Sequence, residues 1–472
     1  MSEPIHRLEV EHLHQPGGWL SPGFVEVDAH GVISVVSATR PASWDGATTT
    51  RVRGFVIPGM PNLHSHAFQR AMAGLAESSV AGKGNDSFWV WRNVMYGFAA
   101  RIHPDDVEFI AAQLYVEMLK AGMTSVGEFH YLHHAPDGKP YDNPAELGLR
   151  ILAAAHRAGI ALTHLPVLYA HAGIGKPPLP QQARFIHADV DTFLRNVQTI
   201  RALLPSMPLL RVGIAPHSLR AVSADELTAA VHGITALDAN APIHIHIAEQ
   251  TGEVDEVVRE YKARPVQWLL DHHDVGTRWC LVHATHLDEQ ETSRLARSGA
   301  IAGLCPTTEA NLGDGIFPAP SYLSQDGRFG VGSDSHISVG ASEELRVLEY
   351  GQRLITRRRT VLVDEKRAGG LHVGRHLYDL AVSGGAQALA QPVGALVPGQ
   401  RADLVVLDGT DPKLAGHGVD TVLDAYVFST AHQAVKDVMV GGRWVVQDRR
   451  HPEEEAIRAA YVDALTRLRS QA

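Results

Sequence analysis

Short apolar runs recur along the middle of the chain and alternate with longer segments in which apolar residues repeat at helical spacing. The short runs predict buried strands and the periodic segments predict helices, so their alternation indicates a parallel sheet. Eight strands are predicted, over residues 55–57, 124–129, 160–168, 210–215, 243–247, 280–283, 301–305 and 329–333. Eight strands with interleaved helices favour an α/β fold of the (β/α)8 TIM-barrel type, and the alternative is a doubly wound open sheet.

The ends of the predicted helices carry residues that start and stop helices. In the segment 104–121, Pro104 lies in the first turn and Gly122 follows the last turn, which are the positions that these residues favour. The helix after the fourth strand begins near Ser223 and has Glu226 three residues later, the pattern of a capping box. These signals predict that helices connect the strands.

The two ends of the chain have a different pattern. Residues 8–36 alternate apolar and polar positions in short runs, and strand-like runs return after residue 390. There, Gly441 and Gly442 separate two apolar runs as the two-residue turn of a hairpin would. We expect both ends to form one composite β-sandwich. The predicted domains are the two parts of this sandwich, 1–53 and 390–450, the barrel, 54–389, and a C-terminal helix, 451–472.

Composition and charge narrow the class of protein. The chain has 472 residues and a formal net charge of −10 with both signs dispersed, which argues against nucleic acid or an anionic membrane as the main partner. Its two cysteines, Cys280 and Cys305, lie in apolar runs, so reduced thiols in the core are expected. The N-terminus lacks the pattern of a signal peptide, and no apolar run is long enough to span a membrane. We therefore expect a cytoplasmic protein.

Histidines at strand ends are the first candidates for chemistry. Three His-x-His pairs occur, at His12 and His14, His64 and His66, and His244 and His246. The first pair has no strand before it and is interpreted as a surface feature. In the fifth strand isoleucines alternate with histidines, so both imidazoles lie on one face. His246 is nearer the carboxyl end, where barrel enzymes hold their active sites, whereas His244 is expected to be a core residue.

Two further ionisable residues end predicted strands. The sixth strand ends at His283, and the eighth leads into Asp334. Together with the earlier histidines they supply nitrogen and oxygen ligands for one divalent ion, with an open position for water. Zn²⁺ is the expected metal and Fe²⁺ the alternative, while His286 and His336 are weaker candidate ligands. The predicted metal ligands are His64, His66, His246 and Asp334.

The order of these residues resembles the amidohydrolase superfamily, in particular its aminohydrolase branch. The resemblance rests on His64-x-His66, His246-x-x-Glu249, His283, Asp334 and the late β-signature at 398–407. It covers nearly the whole chain and implies an amidohydrolase-type barrel that needs no organic cofactor. Two-metal members of the superfamily use a carboxylated lysine at the end of strand four. No lysine lies between Lys176 and Lys262, which favours one metal.

The resemblance and general metal chemistry imply a division of catalytic roles. A bound divalent ion lowers the pKa of water from 15.7 to about 7. Asp334 is expected to accept the proton of this water, Glu249 to carry a proton to the leaving nitrogen, and His283 to hold the developing tetrahedral centre.

Loops after several strands are candidates for substrate recognition. The aromatic segment 87–96 contains Arg92 and could act as a lid, with the guanidinium as a forked donor to a carboxylate. The alternative is that its aromatic residues form a minor core and leave Arg92 solvated. Segments with polar residues also follow strands two, four and seven, at 130–134, 216–220 and 306–317.

Together these segments resemble the deiminases of the superfamily that act on formimidoyl amino acids. This resemblance implies hydrolysis of N-formimidoyl-L-glutamate to N-formyl-L-glutamate and ammonia, a step of histidine degradation. The substrate-binding positions that it implies are Gln69, Arg92, Tyr131, His217 and Arg220. The match at Tyr131 is less specific than the others, because His130 and His133 lie beside it.

Two other functions compete with this prediction. Another aminohydrolase of the branch would act on a purine, a pyrimidine or a triazine, but paired arginines favour an anionic substrate. A barrel without activity, serving as a scaffold, is disfavoured because all four ligands and Glu249 are present. Members of the superfamily often dimerise, so a homodimer that binds a small molecule is expected.

Overall fold

The computed structural model describes residues 6–77, 88–363, 372–430 and 432–470. Its strands are β1 (His6–Gln15), β2 (Gly18–Leu20), β3 (Gly23–Val27), β4 (Ile33–Ser37), β5 (Thr50–Pro58), β6 (Met60–Ser65), β7 (Met123–His130), β8 (Ala161–Leu168), β9 (Leu210–Val212), β10 (Ala215–Pro216), β11 (Ile243–Ile247), β12 (Trp279–His283), β13 (Ile301–Leu304), β14 (Arg328–Val331), β15 (Leu404–Leu407), β16 (Val435–Val440) and β17 (Arg443–Val446).

Its helices are α1 (Phe88–Ala99), α2 (Pro104–Lys120), α3 (Glu146–Ala158), α4 (Val190–Arg201), α5 (Ala224–Leu237), α6 (Thr251–Tyr261), α7 (Pro265–His272), α8 (Glu289–Ser298), α9 (Pro306–Leu312), α10 (Ala319–Leu323), α11 (Ala341–Thr356), α12 (Val373–Ala388), α13 (Val422–Ser429) and α14 (Glu454–Ser470). The predicted capping box is present at α5, where the hydroxyl of Ser223 accepts from the backbone N–H of Glu226. In the described ranges, no helix combines the length and apolar character needed to cross a bilayer.

The central sheet is a closed parallel barrel. Its strands run in the order β10-β8-β7-β6-β14-β13-β12-β11, and β9 pairs with β8. Single bridges from Ile214 to Ile243 and from Ser218 to His246 join the two ends of this path. Because β9 and β10 follow one another in a single strand position of the barrel, the barrel has eight strand positions. The predicted TIM barrel is therefore confirmed, and the open-sheet alternative is wrong.

A second sheet combines both ends of the chain. Its order is β17-β16-β15-β5-β1-β3-β4, with β2 paired to β1, and its pairs are antiparallel except for β1 with β5. The predicted hairpin is present as β16 and β17, and Gly441 and Gly442 both have positive φ at its turn. The two chain ends thus build one composite β unit beside the barrel.

The prediction that residues 55–57 form the first barrel strand is wrong. They lie in β5, which pairs with β1 and β15, and the first barrel strand is β6. Phe55 and Ile57 pack into the core shared with the barrel, whereas Val56 packs into the core of the second sheet. The run is apolar throughout because both of its faces are covered. The strand β6 is less apolar, since Asn62, His64 and Ser65 are buried polar residues with polar contacts to Ser333, His246 and Glu128.

The interpretation of the first histidine pair as surface residues is also wrong in part. His14 is 4% exposed, and its Nε2 lies 3.0 Å from Oδ1 of Asp379. Its ring packs edge-on against Trp19. His12 forms a hydrogen bond with the hydroxyl of Ser21. The polar stretch that suggested a surface is a strand with one buried face.

Buried histidines outside the active site make the fold sensitive to acid. Burial lowers the pKa of His130 and His187 to about 3 and that of His244 to about 4. An unfolded histidine titrates near 6.5, so above this pH neither state binds the proton. As the pH falls below 6.5, only the unfolded state gains protons, and stability is lost down to the folded pKa values.

We therefore expect the urea midpoint to fall steeply between pH 7.5 and pH 5.5. At pH 5.5, each histidine that stays neutral costs about 1.4 kcal/mol. The variant His244→Gln keeps a donor for the carbonyl of Ala388, which the His244 ring contacts at 2.8 Å, but does not titrate. Its midpoint should depend less on pH than that of the wild type. Equal pH slopes for the two proteins would contradict this assignment.

Candidate active site

Three imidazoles converge at the carboxyl end of the barrel. His64 is the penultimate residue of β6, His66 directly follows the strand, and His246 lies in β11. The Nε2 atom of His64 is 3.2 Å from that of His66 and 3.0 Å from that of His246. Asp334, just after β14, places Oδ1 3.5 Å and 3.3 Å from the Nε2 atoms of His64 and His66. The structure thus brings all four predicted metal ligands together.

The hydrogen bonds of these rings orient their lone pairs toward a common centre. His66 donates from Nδ1 to the carbonyl of Phe129 at 2.9 Å, and His246 donates from Nδ1 to the carbonyl of His217 at 3.1 Å. A neutral ring that donates from Nδ1 presents an unprotonated Nε2. Burial lowers the pKa of His64 to about 3 and also lowers those of His66 and His246. These rings are therefore neutral near pH 7, and a protonated ring that donates to its neighbours does not account for the short distances between their Nε2 atoms.

This donor set fits a divalent metal ion. Two nitrogens bound to one tetrahedral zinc ion at 2.0–2.1 Å lie about 3.3 Å apart, close to the observed separations. Burial opposes the charge of Asp334, but its contacts with the histidines outweigh this effect and lower its pKa. Three neutral imidazoles and a carboxylate are common ligands of catalytic zinc and iron. His64, His66, His246 and Asp334 could therefore hold the ion.

Sharp turns at the strand ends aim the site residues inward. Ala248, His283 and Asp334 have φ values of 51°, 67° and 46°, in the left-handed region that residues other than glycine seldom adopt. Such strain persists only where the surroundings fix the backbone, and it clusters at functional sites. Glu253 supplies one such constraint, because its carboxylate accepts from the backbone N–H groups of Ala248 at 3.1 Å and Glu249 at 3.2 Å.

Beside the four ligands lies a group of titratable residues. His283 Nε2 is 3.8 Å from Oε1 of Glu249 and 3.8 Å from Oδ2 of Asp334, while its Nδ1 lies 3.3 Å from Glu309. Burial alone would lower the pKa of His283, but these carboxylates raise it to about 10. Burial raises the pKa of Glu249 to about 7. A buried carboxyl that titrates near neutrality can both take up and release a proton.

A polar network that the sequence did not reveal supports the histidine pair. Glu128, inside β7, accepts from the hydroxyl of Ser65 at 2.6 Å and from the backbone N–H of Ala67 at 2.7 Å. Ser65 also contacts His336 at 3.1 Å, and the other ring nitrogen of His336 contacts Ser333 at 3.0 Å. The only sequence signal for Glu128 was an acidic residue within a buried strand. His336 supports the ligands instead of being one.

His286, the other weaker candidate ligand, also points elsewhere. Its Nε2 contacts the backbone carbonyl of Asp314 at 2.8 Å. Neither alternative histidine therefore belongs to the four-residue cluster.

A pocket opens above the metal ligands and contains all five predicted substrate-binding residues. The lining residues include Gln69, Arg92, Tyr131, His217, Arg220, Glu249, His283 and Asp334. Gln69 donates to the hydroxyl of Tyr131 at 2.6 Å, and its own amide oxygen has no hydrogen-bond partner within the described part of the chain. Of the three candidates around position 131, only Tyr131 lines the pocket.

Arg220 is the main positive charge inside this pocket. It is only 8% exposed, and no described carboxylate oxygen lies within 4.0 Å of its guanidinium. Burial would lower its pKa, but the charges of Glu253 and Glu249, together with Tyr169, raise it. A buried guanidinium held charged without a close ion pair is suited to an anionic ligand.

The predicted lid corresponds to the helix α1, and residue 87 lies outside the described residues. Arg92 stacks its guanidinium 5.5 Å from the ring centre of Tyr96, and both residues line the pocket. Tyr169 and Phe185 also line it but were missed. The sequence feature that could have identified Tyr169 as a pocket residue is its position directly after the third barrel strand.

The fold and the site define a barrel hydrolase with a cluster of histidine and aspartate side chains that could hold a metal ion. The chain belongs to the amidohydrolase family, whose model matches residues 55–445, and it is a hydrolase that acts on carbon–nitrogen bonds. It is 53% identical over 455 residues to formimidoylglutamate deiminase from Pseudomonas aeruginosa, covering 96% of this chain and 97% of the relative.

Solved structures agree with this assignment. An amidohydrolase from Brucella melitensis superposes with a TM-score of 0.90 at 45% identity, over 98% of this chain and 99% of that one. An adenosine deaminase from Xanthomonas campestris with bound zinc superposes with a TM-score of 0.80 at 21% identity, over all of both chains, and shows the shared fold.

Proposed function

We propose that this enzyme hydrolyses N-formimidoyl-L-glutamate to N-formyl-L-glutamate and ammonia, in histidine degradation. The observation that carries the proposal is the buried cation of Arg220 in the same pocket as the metal-binding residues. A glutamate moiety has two carboxylates, and the pocket contains two arginines. The 53% identical relative, named formimidoylglutamate deiminase, supports the same substrate.

We further propose one zinc ion held by His64, His66, His246 and Asp334, with Fe²⁺ as the alternative. No organic cofactor is required. When bound, such an ion lowers the pKa of a water molecule to about 7 and thus supplies a hydroxide equivalent near neutral pH. The other roles belong to side chains of this chain.

Three residues move or hold the protons. Asp334 accepts the proton of the attacking water. Glu249 carries this proton to the formimino nitrogen as the carbon–oxygen bond forms and the C=N double bond becomes single. The second proton of the same water then passes through Glu249 to that nitrogen, the remaining bond to the formimino carbon breaks, and ammonia leaves. His283, held charged by the carboxylates around it, donates a hydrogen bond to the tetrahedral centre as negative charge develops there. The water oxygen becomes the formyl oxygen, so the reaction balances without another reactant.

The remaining pocket residues orient the substrate. Arg92 and Arg220 are proposed to bind its carboxylates through paired N–H donors. The free amide oxygen of Gln69 is suited to accept from the substrate N–H, and Tyr131 fixes the orientation of that amide. His217 borders Arg220 and lines the same wall. This arrangement presents the formimino carbon to the metal centre.

We also propose that the protein is a cytoplasmic homodimer. Both cysteines are free and buried, which suits a reducing compartment. The apolar side chains of Tyr350, Leu354 and Ile355 are exposed on α11 and offer a face for a second copy. Sedimentation equilibrium would test this state, and a mass equal to one chain would contradict it.

Ammonia release by the metal-loaded protein tests the proposed reaction. We expect release from N-formimidoyl-L-glutamate, less from N-formimidoyl-L-aspartate, and none from guanine or cytosine. The shorter substrate tests whether the distance between the metal centre and the arginines selects chain length. Release from a purine or pyrimidine alone would overturn the substrate while leaving the hydrolytic mechanism intact.

A further inference from the structure

A second group of possible metal ligands lies beside the first. His283 ends β12, Cys305 follows β13 and Asp334 follows β14, so three neighbouring strands present them at the same end of the barrel. One donor atom from each of these residues lies within 4.8 Å of the other two. All three side chains are buried. Cys305 has no place in the hydrolytic mechanism described above.

Asp334 connects the two groups through different oxygens. Its Oδ1 faces His64 and His66, whereas its Oδ2 lies 3.8 Å from Nε2 of His283. Oε1 of Glu249 lies 3.8 Å from the same nitrogen and offers a further oxygen. The second group therefore provides one nitrogen, one sulfur and two carboxylate oxygens, the number of ligands that zinc commonly takes.

Glu309 orients two of these residues from behind. Its Oε1 lies 3.3 Å from Nδ1 of His283 and accepts from the backbone N–H of Cys305 at 2.8 Å. A histidine that binds a metal through one ring nitrogen usually contacts a carboxylate or carbonyl through the other. His283 already has this outer contact, and its Nε2 lies 3.8 Å from a carboxylate oxygen of both Glu249 and Asp334. The contacts of the His283 ring are thus typical of a histidine that binds a metal ion.

We propose that His283, Cys305, Asp334 and Glu249 form a second, inhibitory site for a thiophilic divalent cation such as Cd²⁺ or Zn²⁺. Thiolate ligands favour such ions over Mg²⁺ or Ca²⁺. Binding releases the proton of the Cys305 thiol and that of His283 Nε2 to solvent. The ion also occupies Asp334 and Glu249, so neither carboxylate can then carry the proton that the reaction transfers.

Cadmium titration of the protein loaded with one equivalent of zinc tests this site. We expect total bound metal to rise from one to two ions per chain in equilibrium dialysis. We also expect cadmium–thiolate absorption in the ultraviolet and loss of hydrolysis at the same cadmium concentrations. Exchange of cadmium into the first site would leave one ion per chain and give no thiolate absorption, because that site has no sulfur ligand.

The chain provides a matched control in its other cysteine. Cys280 is also buried and packs in the same apolar cluster as Cys305, but its thiol is not one of the three donor atoms that lie within 4.8 Å of one another. The variant Cys305→Ser should lose the absorption band and the second ion, and its half-inhibitory cadmium concentration should rise at least about tenfold. Cys280→Ser should behave as the wild type. Cys305→Ala serves as a second variant if the serine variant does not fold.

Several results would overturn the site. These are one ion per chain in the wild type at saturating cadmium, equal inhibition of the Cys305→Ser variant and the wild type, or loss of the band only in Cys280→Ser. The inhibition rests on the proposed function because it invokes Glu249 and Asp334 as proton carriers. Stoichiometry and absorption do not depend on the substrate, so failure of the metal site and failure of the substrate assignment are distinguishable.

Discussion

Substitution of Glu249 by glutamine is expected to lower kcat by about 10²- to 10⁴-fold, the range that general acid–base groups contribute. Glutamine has nearly the same size but cannot carry a proton. Glu249 is 7% exposed, and its backbone N–H is held by Glu253, so the amide should occupy the position of the carboxyl. KM should change little, because the arginines that bind the substrate are unaltered. Steady-state ammonia release gives both constants.

Metal content must be measured on the same samples. Glu249 is not one of the four residues assigned to the catalytic ion, so the variant should bind one ion as the wild type does. Glu260→Gln is a suitable control, because this residue is exposed on α6, the helix that follows Glu249 in the chain, and should leave kcat unchanged. Turnover close to that of the wild type, with metal fully bound to Glu249→Gln, would show that another group carries the proton.

The barrel could be predicted because its strands are covered on both faces. Strands β12 and β13 lie between the helices and the barrel interior, so their sequences are almost continuously apolar and end near polar residues. The same reasoning failed at residues 55–57, which are also covered on both faces but belong to the second sheet. The local sequence pattern indicates that a strand is buried, but it does not indicate to which sheet the strand belongs.

The metal ligands could be predicted for a related reason. Parallel strands share one carboxyl end, so polar residues that follow separate strands converge without any local contact in the sequence. The residues that orient them could not be found in this way. Glu128, Glu253 and Glu309 are held by long-range or backbone contacts, and an acidic residue in a helix or strand has no periodicity that marks it. Arg220 was singled out by resemblance, but its burial came only from the structure.

Substitution of Arg220 by alanine is expected to raise KM by about 10²-fold or more, since loss of one partner of a buried charge pair costs about 2–5 kcal/mol. The guanidinium is 8% exposed and has no described carboxylate within 4.0 Å, so the substrate is its proposed ion-pair partner. Arg220→Lys should show an intermediate KM, because lysine keeps the charge but not the forked pair of donors. Arg150→Ala, which removes a surface arginine paired with Glu146, should have the KM of the wild type.

A truncated substrate separates the anchoring role from a general disturbance of the pocket. N-methylformamidine has the reacting formimino group but no carboxylate. If Arg220 acts only on a carboxylate, its replacement should leave kcat/KM for this compound unchanged while lowering kcat/KM for N-formimidoyl-L-glutamate. Equal losses for both compounds would mean that Arg220 maintains the geometry of the site, through Glu253 and Glu249, whose charges act on it. An unchanged KM for the glutamate compound would exclude Arg220 as a carboxylate anchor, and the negative end of the substrate would have to bind elsewhere in the pocket.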